Sequence, residues 1–151
     1  MDIRRATTAD RDAAVALLVA QMREHDIPTP AVRLGAAFDH VVAEAGRGAI
    51  LLAWEGERAI GVAAVSFAFP VEVGARTAWL EELYVEPAFR DRGFGTALLK
   101  SALEIIEEAG AVAVDLEIVS GHERVERLYT RFGFQRMPRA RWTRSVLPAK
   151  G

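Results

Sequence analysis

The stretch LEELYVEPAFRDRGFGT, residues 80–96, decides the fold. Its first half, Leu80 to Val85, reads as a strand that Pro87 stops, because proline brings no N–H to a ladder. Its second half, Arg90 to Thr96, leads into a long amphipathic helix. That order makes an anion site. The first amides of a helix lack intrahelical partners, and the axis dipole puts partial positive charge there. Gly93 and Gly95 let the backbone turn tightly and approach a phosphate, while Arg90 and Arg92 add charge and forked donors. The ligand this loop predicts is a diphosphate.

On the C-terminal side, Leu98, Leu99, Ala102, Ile105, Ile106 and Ala109 recur at helical spacing, and Gly110 supplies the stop. Val112, Val114, Leu116 and Ile118 then alternate with Ala113, Asp115, Glu117 and Val119, the period of a strand. A short helix over 123–132 places Val125, Leu128, Tyr129 and Phe132 on one face; Gly133 ends it and Phe134 begins a last extended segment. On the N-terminal side, Ile3 and Ala6 open a first strand. Thr8 or Asp10 can cap a helix carrying Ala14, Leu17, Leu18 and Met22, which ends near His25. Beyond Pro28 and Pro30 a second amphipathic run carries Val32, Leu34, Phe38, Val41 and Val42, closed by Gly46 and Gly48. Residues 49–54 and 59–69 flank the turn Glu55-Gly56-Glu57-Arg58 as a hairpin, and 78–86 is the strand that enters the loop. Strand, two helices, three strands, helix, strand, helix, strand predicts an α/β fold: a mixed, mostly antiparallel sheet with helices on both faces.

The 151 residues, 51% of them hydrophobic, suffice for one core and not for two, so residues 1–151 are expected to form a single domain. The absence of cysteine removes disulfides, cysteine-bound zinc and a thiol nucleophile, and fits a reducing compartment. Met1 is followed at once by Asp2, Arg4 and Arg5, with no signal-peptide run and no long apolar span; the expectation is a soluble cytoplasmic protein with no membrane partner. A net charge of -2 argues against a nucleic-acid partner, and the local cluster Arg136, Arg139, Arg141 and Arg144 reads as a solvated strand face.

Three phosphate-binding patterns can be compared at the loop. A P-loop needs Lys before Ser or Thr after its second glycine, yet Thr96 follows Gly95 directly. A dinucleotide fingerprint needs a third glycine where Leu98 stands, and normally lies in the first strand-to-helix turn. What remains is Arg or Gln, two residues, Gly, one residue, Gly or Ala. Here the chain resembles the GNAT superfamily of acetyl-CoA-dependent N-acetyltransferases: Arg90, Gly93 and Gly95 match its pyrophosphate motif, and Leu80 to Pro87 its preceding strand. Leu128, Tyr129, Gly133 and Phe134 match the Leu-Tyr and Gly-Phe positions of its last helix and following strand. Two positions depart: His122 and Val125 stand where members commonly carry Asn and Ala.

The resemblance implies transfer of an acetyl group from acetyl-CoA to a primary amine of a small molecule or peptide, by direct attack in a ternary complex. The cofactor would run along Leu83, Tyr84 and Val85, with main-chain groups of Leu83 and Val85 pairing to its pantetheine arm and one N–H there receiving the developing oxyanion. Arg90, Asp91, Arg92, Gly93, Phe94, Gly95 and Thr96 would hold the diphosphate, and His122 is a further cofactor contact. Tyr129 is the candidate general acid for the leaving thiolate. Glu81 is the candidate base, with Glu82 in reserve. Strict alternation puts Glu81 on the face of Leu83 and Val85 and Glu82 on the other, unless a bulge intervenes. No metal is expected: Asp115 and Glu117 share a strand face, but His25, His40 and His122 lack ligand spacing, and the carboxylates are read as meeting solvent or arginines. Asp26, Asp39, Glu72 and Glu82 could attract a cationic acceptor, whose identity stays open among polyamine, aminoglycoside, amino acid and protein N-terminus. The resemblance also implies a homodimer. A different class, a GNAT-fold sensor that binds acyl-CoA without turnover, is the alternative.

Overall fold

The computed structural model describes residues 1–147; residues 148–151 of the expected single domain lie outside the described residues. In chain order the elements are β1 (Asp2–Arg5), α1 (Arg11–Glu24), α2 (Ala31–Ala43), β2 (Gly48–Glu55), β3 (Arg58–Ala68), β4 (Thr77–Val85), α3 (Phe94–Glu108), β5 (Val114–Asp115) and α4 (Glu126–Arg131). The strands form one sheet in the order β1-β2-β3-β4-β5, antiparallel throughout except for the parallel β4–β5 pair. This is the mixed sheet that the order of elements predicts.

β2 and β3 are apolar on both faces because both faces are covered. Strand alternation sends Leu51, Ala53, Ala63 and Val65 toward α3, where they meet Leu98, Leu99, Ala102 and Ile106. Ile50, Leu52, Val62 and Ala64 point the other way, onto Ala14, Leu17, Leu18 and Met22 of α1 and Leu34 and Phe38 of α2. Two cores thus sandwich the sheet. Among the described residues no helix is long and apolar enough to cross a membrane.

Two late elements depart from expectation. The strand expected over residues 112–119 pairs only at Val114 with Ala78 and Asp115 with Trp79. β4 carries a bulge just beyond that point, because Ala64 opposes Glu82 while Val65 opposes Leu80, so Glu81 is an extra residue. A bulge bends its strand and sharpens the twist, and β5 does not follow. The segment from Phe134 onward forms no strand among the described residues. β5 is too short to offer it a ladder, and side-chain pairs hold it instead: Arg139 to Glu72, Arg141 to Glu117 and Arg136 to Glu126. Such exposed pairs are screened by solvent and contribute little to stability.

Candidate active site

The Pro87–Phe89 turn delivers the chain from β4 to Arg90, and Gly93 caps α3 with φ 88 and ψ 2, a left-handed conformation open to glycine. The first intrahelical bond runs from Ala97 N–H to Gly93 O at 3.0 Å, so the amides of Phe94, Gly95 and Thr96 precede the α3 ladder. A Cβ at Gly95 would meet nothing nearer than Val85 Cγ2 at 4.0 Å. No protein atom therefore accounts for a glycine there, whereas a diphosphate drawn against the amides would. On that ground the loop fits the diphosphate of acetyl-CoA.

The loop's arginines have protein partners. Arg90 donates from Nε to Val85 O at 2.9 Å and from its terminal nitrogen to Glu24 at 2.8 Å, and lies over the Tyr84 ring. Arg92 donates to Glu55 at 3.2 Å and sits over Phe89 and Phe94. Arg90 thereby ties the loop to the end of β4 and to α1. Phe94 is buried in the core beneath the helix start, and Asp91 holds a left-handed φ of 61 at the turn.

Beyond Trp79 β5 gives β4 no strand partner, so the main chain from Leu80 to Val85 forms an open edge on that side among the described residues. Leu83 opposes Ala63 and Val85 opposes Gly61, facing α3, whereas Tyr84 opposes Val62 and is buried on the α1 side.

The bulge changes where the carboxylates point. Glu82 opposes Ala64, which faces α1 and α2, so Glu82 shares that side. Glu81 interacts with Ser66, whose neighbours Val65 and Phe67 face α3, so Glu81 also lies on the α1 side. The alternation that put Glu81 with Leu83 and Val85 therefore does not hold: both acids project from one face, as the two residues of a bulge do. Partial burial raises Glu81 above the usual carboxylate range, and Ser66 opposes the rise. Glu82 is pushed up to about 7, first by burial and then by the charge of Glu81.

The gap that opens beyond Trp79, where β5 parts from β4, is the candidate cleft. Tyr129 comes from α4. Its ring packs edge-on against Phe134 with centroids 5.6 Å apart, on the margin of the α3-side core. Burial, followed by the charge of Glu82, pushes the phenol up to about 12. The fold thus places within electrostatic reach two candidates that stand 47 positions apart in the chain.

His122 stacks at a tilt on His25, the residue after α1, with ring centroids 4.4 Å apart. Glu24 and His25 are the residues that sequence reasoning did not connect to the site. Their partners are remote in the chain, and nothing local announces either contact. Of the four acids considered for attracting an acceptor, Asp39 is held by Arg11 at 2.8 Å and Glu72 by Arg139 at 2.7 Å, Asp26 lies in the turn after α1, and Glu82 lies on β4. Asp115 interacts electrostatically with Arg139, and Glu117 pairs with Arg141. Among the described residues no group of three or more His, Asp or Glu could hold a metal.

Known proteins resemble this chain in sequence and in fold. The sequence profile of the acetyltransferase (GNAT) family matches residues 13–134. An uncharacterized N-acetyltransferase of Bacillus subtilis, YhfO, is 30% identical over 135 residues, covering 89% of this chain and 90% of that protein. The thialysine N-epsilon-acetyltransferase of Bos taurus is 27% identical over 57% of this chain and 50% of its own length. The chain spans half or less of the first curated relatives it matches. In fold it is similar to the aminoglycoside N-acetyltransferase AAC(6')-Iy, solved in complex with CoA: TM-score 0.82, 19% identity, covering 97% of this chain and 95% of that one. The profile match over most of the chain, on a sheet that opens beside a glycine-capped helix, shows that the chain belongs to the acetyltransferase (GNAT) family.

Proposed function

We propose that the protein transfers an acetyl group from acetyl-CoA to a primary amine of a small molecule or peptide, by direct attack within a ternary complex. The observation that carries this reading is the β4 edge, unpaired by β5 from Leu80 to Val85, that runs into the open start of α3 at Gly93. An extended arm can add to such an edge like a strand while its diphosphate rests on the amides. Acetyl-CoA supplies the acyl group as a thioester open to attack by an amine.

The chain's own residues do the rest. The amides of Phe94, Gly95 and Thr96 bind the diphosphate, with Arg90 bracing the loop on Val85 and Glu24. A main-chain N–H near Leu83 or Val85 donates to the oxygen that becomes negative. Glu82 rather than Glu81 is the proposed base, because burial, followed by the charge of Glu81, lifts its carboxyl to about 7. At about 1.4 kcal/mol per pKa unit, that rise from 4.5 makes proton transfer from an ammonium easier by about 3 kcal/mol.

Tyr129, held protonated, is the proposed donor to the leaving thiolate. Once Glu82 has taken the ammonium proton, one of the two causes that raise the phenol is gone. The base step therefore makes the acid stronger when it is needed.

Following free thiol from acetyl-CoA against a panel of primary amines tests the reading: amine-dependent release is expected, and CoA binding without release would favour the sensor alternative. Tyr129→Phe is expected to lower kcat about 10²-fold while CoA affinity changes less than about twofold. Unchanged kcat would return Tyr129 to a packing role.

A further inference from the structure

The last turn of α1 touches both banks of the opened cleft with consecutive residues. Glu24 holds Arg90 at 2.8 Å on the bank formed by β4 and the glycine loop. His25 stacks on His122, on the bank formed by the β5–α4 connection, with ring centroids at 4.4 Å. The sheet does not join these banks there, since β4 and β5 pair only as far as Trp79 and Asp115.

The turn is also stiff. Asp26 takes a left-handed φ of 54, and Ile27 N–H reaches back to Met22 O at 2.9 Å, a closure that fixes the direction of the helix end. His122 O accepts from Val125 N–H at 3.4 Å, at the head of the turn leading into α4 and Tyr129. Displacing His122 would therefore carry the α4 bank with it.

From these contacts we propose that Glu24 and His25 form a strap that sets the width of the cleft, His25 acting as a positioning residue that holds the Tyr129 bank against the Glu82 bank. The inference rests on the acetyl-transfer reading for its effect on rate, and on the two contacts alone for its effect on structure. A ring-on-ring contact is what the strap needs at position 25, so a phenyl group serves in place of imidazole. Removal of the ring lets the banks drift, and misplacement by about 1 Å costs up to about 10²-fold in rate.

The test uses the full chain and three variants, His25→Ala, His25→Phe and Glu24→Gln, read by steady-state kinetics with acetyl-CoA and by amide hydrogen exchange over residues 122–131. His25→Ala is expected to lower kcat about tenfold or more, with CoA affinity held within about twofold, and to speed exchange over 122–131. His25→Phe restores most of both. Glu24→Gln, an exposed change tolerated by the fold, moves kcat in the same direction as His25→Ala. Unchanged exchange over 122–131 in His25→Ala, or a phenylalanine variant as impaired as alanine, overturns the strap. A wild-type protein that releases no thiol with any amine sinks the acetyl-transfer reading instead, and exchange then decides the strap by itself.

Discussion

Glu82→Gln should lower kcat roughly 10²- to 10³-fold and, at pH 8, make the protein more stable than the wild type. Both effects come from one cause. Partial burial, with the Glu81 charge beside it, raises the folded-state carboxyl to about 7 from 4.5, so the folded state binds this proton more tightly than the unfolded chain. The sign follows from linkage: the side chain imposes no penalty below about pH 4.5, an increasing one as pH rises through 7, and its full penalty above. Glutamine has no charge to desolvate. Discounted for the part of the carboxyl that solvent still screens, the expected gap is about 1–2 kcal/mol at pH 8, or roughly 3–6 °C in Tm for a domain of this size, and it should close toward pH 5. In kinetics the variant should lose the rising limb of kcat/KM near pH 7. A Tm difference independent of pH, or an unaltered rate profile, would remove Glu82 as the titrating base.

Gly95→Val should weaken CoA binding by about 10²-fold or more, since a branched side chain would occupy the space against the amides where the diphosphate is proposed to rest. The variant is informative because the protein itself has room for the change: the nearest atom to a new Cβ is Val85 Cγ2 at 4.0 Å. Folding should be only slightly affected, in contrast to Gly93, where φ 88 makes any side chain strained. Calorimetric titration with CoA, beside a melting curve, separates the two effects. Affinity near that of the wild type in a folded Gly95→Val protein would move the diphosphate elsewhere.

The parts of the site that were legible in sequence are those that depend on neighbours along the chain. Gly93 and Gly95 before an apolar helical stripe announce a helix start that admits an anion, because helix dipoles and free amides are properties of a single segment. The hairpin around Gly56 follows likewise from two apolar runs that flank a glycine-containing turn. The face of Glu81 was not legible. Alternation assumes an unbroken pleat, and whether β4 keeps one depends on its register with β3, where Glu81 is the residue left over. The last strand failed for a related reason: residues from Phe134 onward have extended character, but a strand needs a partner edge, and β5 is two residues long.

By itself, then, the amino-acid order determined most of the succession of elements and the helix start at Gly93 through short-range periodicity and turn chemistry, and it pointed to the family through the resemblance of the Arg90, Gly93 and Gly95 motif. Tertiary structure alone decided that β4 and β5 part after Trp79, that Glu82 and Tyr129 feel one another across the gap, and that Glu24 and His25 reach both sides of it. Those depend on strand register and on contacts between residues far apart in the chain, where burial and charge act through space and leave no periodic mark in the sequence.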